Sequence, residues 1–324
     1  GIVEFFKKIV EKEQPEIILD IGCGQGKLVQ EMRKKVIRAI KNRIDNKIKK
    51  YKLNTKSKNK GYNLYFSKKL GLKLLLNLNS IIDYQIFSLG YYDLNTLNKL
   101  DSIINNFKEK EPWKKILFFD IGSNIGLMSL YLKKKHPDIT IYAFEPVSIN
   151  YYQNKINSII NNLDYSLFRI ILGNKNINSK KIYLPDKKIY TDYDRINMGI
   201  PSIFMNKYRT GKLFEECKME TFDKFVEENL NSKSLNEFNI LFKIDVEGSE
   251  LNVLEGMKNT FNSLENSVFL IELLFKEQFS LYKEVVEFLK NHKYCIYDYK
   301  NNDLAEIPLG LLKNGNYLFK KVGL

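Results

Sequence analysis

The chain has 324 residues, of which 44% are hydrophobic and 13% aromatic, and its formal net charge is +14 at pH 7. This composition describes a globular protein with enough apolar residues for one large or two modest domains, and it excludes collagen-like and disulfide-rich classes. The cysteines, Cys23, Cys217 and Cys295, are too few and too far apart for a disulfide framework or a metal-binding pair, which favours a reducing cytoplasm.

The charge pattern leaves several partners open. Residues 1 to 10 carry too many charges for a secretory signal, and no apolar run reaches the ~20 residues that a membrane helix needs. We therefore expect a cytoplasmic protein without a transmembrane segment, although peripheral membrane association stays open. The scattered lysines are typical of a solvated surface, but they also fit an anionic partner such as a nucleotide sugar, a phospholipid headgroup or RNA. Only residues 41 to 60 are dense enough in lysine to form a patch.

Residues 1 to 60 contain a strand, turn and helix pattern around Asp20 and Gly26, which recurs one hundred positions later at Asp120 and Gly126. After the first copy the pattern continues as a basic helix, and no strand ending in an acidic residue follows to hold a ribose. We interpret this segment as an accessory element with a partial duplicate of the glycine turn. A second ligand site at Asp20 is the alternative.

Residues 61 to 107 are interpreted as an N-terminal cap, and residues 108 to 324 as the main domain. The cap contains short apolar runs separated by Asn and Asp, and Gly90 to Asp93 marks a turn before a helix-like stretch. We expect its loops and helices to help close a substrate site.

The main domain opens with a strand, turn, helix and strand between Lys115 and Pro146. Gly122 and Gly126 allow a tight turn and a close approach of the backbone to a ligand, and the following helix presents free N–H groups. Glu145 ends the second strand, Ile139 to Phe144, where an acidic side chain can accept protons from both ribose hydroxyls. This unit predicts a site for a nucleoside-bearing ligand.

The turn itself favours one cofactor over others. It lacks the Gly-x-Gly-x-x-Gly pattern of dinucleotide sites and the Gly-Lys-Ser/Thr signature of phosphate loops. An acid at Asp120 would repel a pyrophosphate but suit the cationic amino-acid end of S-adenosylmethionine. We therefore predict S-adenosylmethionine rather than NAD or ATP. The predicted cofactor-binding residues are Asp120, Gly122, Ser123, Asn124, Gly126 and Glu145.

After Glu145 the pattern alternates between helix and strand, with a helix over Ile149 to Ile160 and strands over Leu167 to Leu172 and Lys181 to Leu184. Residues 186 to 212 are polar, aromatic and aperiodic, and this stretch is longer than most connections in a compact domain. We expect it to bind substrate. Its Tyr190, Tyr193, Arg195 and Tyr208 could stack on a sugar ring or hold an anionic group, and Asn197 belongs to the same predicted set.

A second chemical stretch follows the apolar strand Ile240 to Ile244. Asp245 and Glu247 lie at its carboxyl end, where a doubly wound sheet opens its ligand crevice. The Asn/Asp-Pro-Pro-aromatic turn common in amino methylation is missing, which favours a hydroxyl acceptor. Asp245 and Glu247 then predict either a carboxylate base or ligands for a divalent cation, and Lys243 could steer a negative oxygen.

Two further acids carry alternative interpretations. Glu250 begins a helix, where an acid is stabilising in any case, or it binds substrate. Glu272 lies inside the apolar strand Val268 to Leu274, where a charge is costly unless it is paired, so it is either a buried structural acid or a substrate-binding residue.

Several of these motifs together resemble the FkbM-type methyltransferase family. The resemblance rests on Phe119 to Gly126, Ala143 to Pro146, and Phe242 to Glu250 with Val253, Leu254 and Gly256. Smaller matches are Gly90 to Asp93, Asn197 to Gly199 with Ser202, and Thr221 to Asp223. They cover roughly residues 63 to 275, and residues 1 to 60 fall outside the pattern.

The resemblance implies a class I methyltransferase fold that uses S-adenosylmethionine, usually on hydroxyls of sugars, glycans or polyketide-like metabolites. It also implies that Lys243, Asp245, Glu247 and Glu250 belong to the second motif. We expect an α/β fold with a seven-strand, mostly parallel sheet and helices on both faces, closed at one edge by antiparallel strands at Tyr294 to Tyr299 and Tyr317 to Lys320. The predicted reaction is O-methylation of a sugar, glycan or nucleotide sugar. The alternatives are an RNA methyltransferase, which the positive charge would suit, and a non-catalytic scaffold with the same fold.

Overall fold

The computed structural model describes residues 61–186, 195–230, 232–298 and 312–321. The predicted second glycine turn at Asp20, and the tyrosines Tyr190 and Tyr193, lie outside these ranges. In chain order the strands and helices are β1 (Tyr62–Ser67), β2 (Leu72–Asn77), α1 (Ile81–Leu89), α2 (Leu94–Lys110), β3 (Lys115–Ile121), α3 (Leu127–Lys135), β4 (Thr140–Phe144), α4 (Ser148–Asn161), β5 (Ser166–Phe168), β6 (Ile171–Leu172), β7 (Ile177–Tyr183), β8 (Phe214–Glu220), α5 (Phe222–Asn229), β9 (Phe238–Ile244), α6 (Glu250–Glu255), β10 (Ser267–Leu273), α7 (Phe275–Asn291), β11 (Tyr294–Asp298) and β12 (Gly315–Lys321).

The main sheet has seven strands in the order β11-β12-β10-β9-β3-β4-β5. The neighbours from β10 to β5 pair in parallel, and β12 alone runs against both of its neighbours. This topology confirms the predicted seven-strand, mostly parallel sheet, and it confirms that the last two strands form an antiparallel pair at one edge.

The central strands are apolar because both of their faces are buried. In β3, Leu117, Phe119 and Ile121 point into one core, which they share with side chains of α5, α6 and α7. The alternate residues Ile116 and Phe118 point into a second core, shared with α2 and α3. The sheet therefore has helices on both faces, as predicted.

A row of stacked aromatic rings fixes the register of the central strands on one face. The rings of Phe119 and Phe242 are 4.9 Å apart, and those of Phe242 and Phe269 are 4.5 Å apart, both in stacked geometry. Tyr142 extends the row on the other side of Phe119 at 5.4 Å. Aromatic pairs across adjacent strands add about 0.5–1.5 kcal/mol each beyond their buried area. This row therefore helps to hold β4, β3, β9 and β10 in register.

The chain changes direction along the sheet at β3, since β4 lies on one side of it and the later strand β9 on the other. At such a switch point the loops after neighbouring strands separate and leave a crevice beyond their carboxyl ends. The two predicted chemical stretches follow β3 and β9, so this topology brings them to the same place.

A small three-stranded sheet, in the order β6-β8-β7, lies beside the main one. The predicted strand Leu167 to Leu172 is wrong in one respect: it divides into β5, which pairs with β4, and β6, which pairs with β8. Arg169 lies between the two pieces and its Nε donates to the carbonyl of Pro146 at 3.2 Å.

The β1–β2 hairpin packs against helix α4 through amide side chains. Asn157 accepts from the backbone N–H of Leu75 at 2.7 Å, and Gln153 donates to the carbonyl of the same residue at 2.8 Å. Leucines of β2 join the core beneath α2 and α3. Among the helices in the described ranges, none is both long enough and apolar enough to cross a bilayer.

Candidate active site

A crevice of about 290 Å³ lies beyond the carboxyl ends of β3, β4 and β9. Its lining contains the glycine turn after β3, the acid that ends β4 and the loop after β9. Side chains from α1, from the segment after residue 196 and from β12 complete its walls. The crevice is therefore built from parts of the chain that are distant in sequence.

Two positions in the turn after β3 require glycine. Gly122 has φ +80°, and a Cβ there would lie 1.9 Å from the carbonyl oxygen of Asp245. Gly126 has φ +84° at the start of α3, and a Cβ there would lie 2.3 Å from Oδ1 of Asn154. Left-handed backbone is strained for other residues, and here contacts under 3 Å would add to that strain.

Amide side chains of α4 hold this turn from behind. Nδ2 of Asn154 donates to the carbonyl of Asn124 at 3.2 Å, and Nδ2 of Asn157 donates to the carbonyl of Ile125 at 3.1 Å. Tyr165 in turn donates to Oδ1 of Asn154 at 2.5 Å. The turn therefore keeps its shape through buried hydrogen bonds. Its own Asn124 takes a left-handed φ of +49°.

Glu145 lies where the sequence predicts it, at the carboxyl end of β4 and on the crevice wall. Its Oε2 accepts from the backbone N–H of Asn124 at 2.8 Å, and its Oε1 accepts from that of Val147 at 2.9 Å. Burial raises the pKa of Glu145 to about 7, although both backbone N–H groups act in the opposite direction. The side chain of Asn150 also hydrogen-bonds this carboxylate, and since a carboxylate has about four acceptor positions, it can still accept from a ligand hydroxyl.

Asp120, predicted to contact a cofactor, lies below the crevice rather than on its lining. It is completely buried, and its Oδ2 accepts from Oγ of Ser129 at 2.6 Å. Its Oδ1 lies 3.9 Å from Nζ of Lys243 and has no hydrogen-bond partner in the described part of the chain. Burial raises the pKa of Asp120, and the charge of Lys243 opposes that rise.

Three carboxyl groups meet at the opposite end of the crevice. Oxygens of Asp245, Glu247 and Glu272 lie within 4.8 Å of one another. The charge of Asp245 and burial raise the pKa of Glu272, while burial and then the charge of Asp245 raise the pKa of Glu247. Like charges this close oppose one another's ionisation, which is why the pKa values of Glu247 and Glu272 lie above the usual range of a glutamic acid.

Lys243 is the cation beside this cluster. Its Nζ lies 3.1 Å from Oδ2 of Asp245. Burial alone lowers the pKa of Lys243, but the carboxylates of Asp245 and Asp120 outweigh burial and raise it overall. Lys243 therefore stays protonated and cannot act as a base. Its charge is available to a negative oxygen only in competition with its two carboxylate partners.

The donor set of the cluster is of the type that Mg²⁺ or Ca²⁺ accepts, since it consists of carboxylate oxygens. Asp245 and Glu247, the predicted metal ligands, both belong to it, and Glu272 adds a third carboxylate. Lys243 already supplies a counter-charge to Asp245, which competes with a cation at that residue.

The predicted substrate-binding residues divide between the crevice and its surroundings. Asn197 and Glu272 line the crevice. Arg195 instead donates from Nε to the carbonyl of Leu78 at 2.8 Å, and its guanidinium stacks 3.5 Å above the ring of Tyr84. The structure therefore places Arg195 against Leu78 and Tyr84 rather than on the crevice lining.

Glu250 is buried and lies behind the loop that follows β9. Its Oε1 accepts from the backbone N–H of Val246 at 3.2 Å, and its Oε2 accepts from that of Gly248 at 3.1 Å. These bonds hold a turn in which Glu247 has a left-handed φ of +54°. Glu250 thus positions Glu247, and it does not line the crevice. Tyr208 also lies outside the crevice lining.

Tyr92 and Asn316 are among the crevice residues that the sequence-based prediction missed. Tyr92 lines the crevice, and burial together with the charges of Asp245 and Glu272 raises its pKa. Asn316 of β12 also lines the crevice and lies opposite Glu272 in the antiparallel register. The turn at Gly90 to Asp93 marked the position of Tyr92, whereas no local pattern marks Asn316.

A family model for the methyltransferase FkbM domain matches residues 120–296, which is 177 of the 324 residues. The chain therefore belongs to the FkbM methyltransferase family, and the predicted resemblance is confirmed.

Two curated relatives show how far the similarity extends. "Methyltransferase 1" of Beauveria bassiana (strain ARSEF 2860) is 29% identical over 164 residues, covering 48% of this chain and 63% of the relative. The 31-O-demethyl-FK506 methyltransferase FkbM of Streptomyces tacrolimicus is 22% identical over 159 residues, covering 44% of this chain and 59% of the relative. The chain thus spans less than two thirds of the length of these relatives.

Solved structures with a similar arrangement are also methyltransferases. An S-adenosylmethionine-dependent methyltransferase from Clostridium acetobutylicum ATCC 824 has 11% sequence identity and a TM-score of 0.38, with 74% of this chain and 96% of that chain covered. The METTL16 MTase domain has 11% identity and a TM-score of 0.41, with 78% and 74% covered.

Proposed function

We propose that this chain is an S-adenosylmethionine-dependent O-methyltransferase whose acceptor is a hydroxyl of a sugar, glycan or nucleotide sugar. The observation that carries the proposal is the position of Glu145. Its carboxylate is joined to the glycine turn through Asn124 at 2.8 Å, and it shares one crevice with the acidic cluster around Asp245. A ribose-binding acid and a proton-accepting group thus face the same space.

The residues at one end of the crevice fit a nucleoside. Glu145 would accept hydrogen bonds from the ribose hydroxyls. Apolar side chains around it offer surfaces on which a purine ring can lie; they are Val147, Ile171, Leu172 and Ile182. When bound, S-adenosylmethionine supplies an electrophilic methyl group on a positively charged sulfur. The carboxylates near Asp245 favour a positive charge at that end.

The acidic cluster supplies a place for the acceptor's proton. The positive charge of the bound cofactor would favour ionised carboxyl groups in this cluster, and the acceptor's proton then passes to an ionised carboxylate of Asp245, Glu247 or Glu272 as the acceptor oxygen gains the methyl group. Lys243 stays protonated beside them and limits the repulsion among the negative groups. Asn197 also lines the crevice, and its amide can donate to and accept from a sugar hydroxyl.

Calorimetric titration with S-adenosylhomocysteine tests the cofactor assignment. We expect one site, with affinity about 10- to 100-fold weaker in Glu145→Ala because hydrogen bonds to a charged group are lost. Glu111→Ala, which removes a surface ion pair with Lys114, is the control and should bind normally. Asp20→Ala should also bind normally. Unchanged binding in Glu145→Ala, or loss confined to Asp20→Ala, would show that the assigned motif is wrong.

Transfer of a labelled methyl group to panels of saccharides, nucleotide sugars and RNA tests the acceptor. The expected product is a methyl ether on a saccharide, and methylated RNA would overturn the acceptor class. Glu272→Gln should lower kcat without weakening S-adenosylhomocysteine binding. If chelation removes activity and Mg²⁺ restores it, the cluster acts as a metal site; if chelation has no effect, it acts as the base.

A further inference from the structure

The small sheet next to the crevice has one buried face and one exposed face. In β7, Ile182 is buried in a small core with Val147 and Cys217. The neighbouring residues Lys181 and Tyr183 point to the other face, because side chains alternate along a strand. Phe214 of β8 pairs with Tyr183 and is 42% exposed.

The loop before β8 extends this exposed face with apolar side chains. Phe204 is 41% exposed, Met205 59% and Leu213 52%. The surroundings of Gly211 place Met205 beside Tyr183, while Phe204 adjoins Met205 and Leu213 adjoins Phe214 in sequence. A Cβ on Gly211 would lie 2.7 Å from Sδ of Met205 and 3.9 Å from the ring of Tyr183. We call the group formed by Tyr183, Phe204, Met205, Leu213 and Phe214 the outer patch.

Lysines accompany these apolar side chains. Nζ of Lys181 lies 4.0 Å from the ring centre of Phe214, and Nζ of Lys207 lies 4.9 Å from that of Tyr208. Lys212 adjoins Leu213 in sequence and is exposed. The nearby acid Asp186 is already engaged, since it accepts from the backbone N–H groups of residues 210 and 212. Glu216 lies on the same face, opposite Lys181 in the register, and its Oε2 accepts from Oγ of Ser179. Lys181, Lys207 and Lys212 outnumber these two acids, so the surface keeps a positive charge.

The outer patch continues the wall of the crevice. Ile203 is 8% exposed and lines the crevice, whereas the adjacent Phe204 faces solvent. Likewise, Ile182 lines the crevice, whereas the adjacent Lys181 faces solvent. Whatever covers the outer patch is thus brought next to the crevice wall that Ile182 and Ile203 form.

We propose that the outer patch docks on an anionic lipid surface and so places the crevice at the membrane interface. Aromatic and Met side chains can enter the headgroup region, while lysines keep their charge in water and attract anionic lipids. Phe and Met surrounded by lysines complement such a surface in both apolar character and charge. The proposal concerns location and is independent of which acceptor is methylated.

Sedimentation of the full chain with vesicles tests this docking. The vesicles contain phosphatidylcholine with about 30% phosphatidylserine, and pure phosphatidylcholine vesicles run beside them. We expect binding to the anionic vesicles, about tenfold weaker in Phe204→Ser/Phe214→Ser, which corresponds to about 1.4 kcal/mol. Trp113→Ser is the matched control. It removes an aromatic side chain that is 75% exposed and precedes the amino end of β3, away from the crevice.

A second pair of variants separates the outer patch from the general positive charge of the chain. Lys207→Glu/Lys212→Glu should weaken vesicle binding more than Lys258→Glu/Lys283→Glu, which changes the net charge equally on exposed residues elsewhere. Normal S-adenosylhomocysteine binding in each variant shows that it is folded. Equal loss in both lysine pairs, or equal binding to neutral vesicles, would overturn the proposal. Patch-dependent dimerisation without vesicle binding would also overturn it, in favour of a second copy as the partner.

Discussion

Replacing Asp83 by Asn should stabilise the protein at pH 8 far more than at pH 5. Asp83 is buried on α1, and its Oδ2 accepts from the backbone N–H of Asn77 at 2.5 Å and from Nε2 of Gln153 at 2.6 Å. It therefore joins the hairpin, α1 and α4 at one point. Asn can place its single carbonyl oxygen where Oδ2 lies, so both hydrogen bonds can survive the substitution.

The magnitude follows from the ionisation of this group. Burial raises the pKa of Asp83 to about 7, even though both hydrogen bonds lower it. The unfolded chain loses this proton near pH 3.9. Between these values the folded state binds more protons than the unfolded state, so stability falls as pH rises and levels off above about 7. At 1.36 kcal/mol per pH unit, the cost of ionising Asp83 grows by about 3 kcal/mol between pH 5 and pH 8.

Denaturant unfolding of wild type and Asp83→Asn at both pH values measures this difference. The unfolding free energy of the variant relative to wild type should rise by about 3 kcal/mol between pH 5 and pH 8, because the contributions of the other titrating groups cancel in the comparison. Asp138→Asn, in an exposed ion pair with Lys108, should show no gain. A stability difference for Asp83→Asn that is the same at both pH values would refute the reasoning.

Further predictions concern the crevice. Gly122→Ala should abolish S-adenosylhomocysteine binding and lower the melting temperature sharply, because its Cβ would lie 1.9 Å from a carbonyl oxygen. Gly90→Ala, at a similar φ of +83° but with its nearest contact at 3.6 Å, should cost only about 1 kcal/mol in thermal unfolding. Lys243→Met should destabilise the fold by about 3–5 kcal/mol in denaturant titration, since two carboxylates lose their buried partner, whereas Lys243→Arg should cost less. Binding of S-adenosylmethionine at pH 7 should release protons from Glu247 and Glu272, because a nearby cation lowers their raised pKa values. Calorimetry in buffers of different ionisation enthalpy should detect this release. S-adenosylhomocysteine, which lacks the positive charge on sulfur, should release fewer protons.

The parts of the fold that the sequence predicted well are those that depend on local patterns. The strand before Gly122, the strand ending at Glu145 and the strand ending at Ile244 are short apolar runs, each followed by a turn or an acid. Their order along the chain then implies one parallel sheet and one crevice. Glu145 lies where the pattern placed it because its position depends only on the end of β4.

The features that were missed depend on contacts between distant segments. Asn154 and Asn157 are polar residues of an amphipathic helix, and nothing local shows that they hold the glycine turn. Arg195 was expected to bind substrate, but in the folded chain it contacts the carbonyl of Leu78 and the ring of Tyr84 instead. The pairing of β6 with β8 likewise joins segments more than forty residues apart, which periodicity does not reveal.

The distribution of charge in the crevice is difficult to explain as a device for stability. Lys243 offsets part of the repulsion around Asp245, and backbone N–H groups offset part of the cost of burying Glu145. The cost of burying these acids that is not offset raises the pKa values of Glu145, Glu247 and Glu272. Apolar residues at these positions would avoid that cost. A ligand with ribose hydroxyls at one end and a positive charge at the other would lower the cost of keeping these acids ionised. S-adenosylmethionine combines both features.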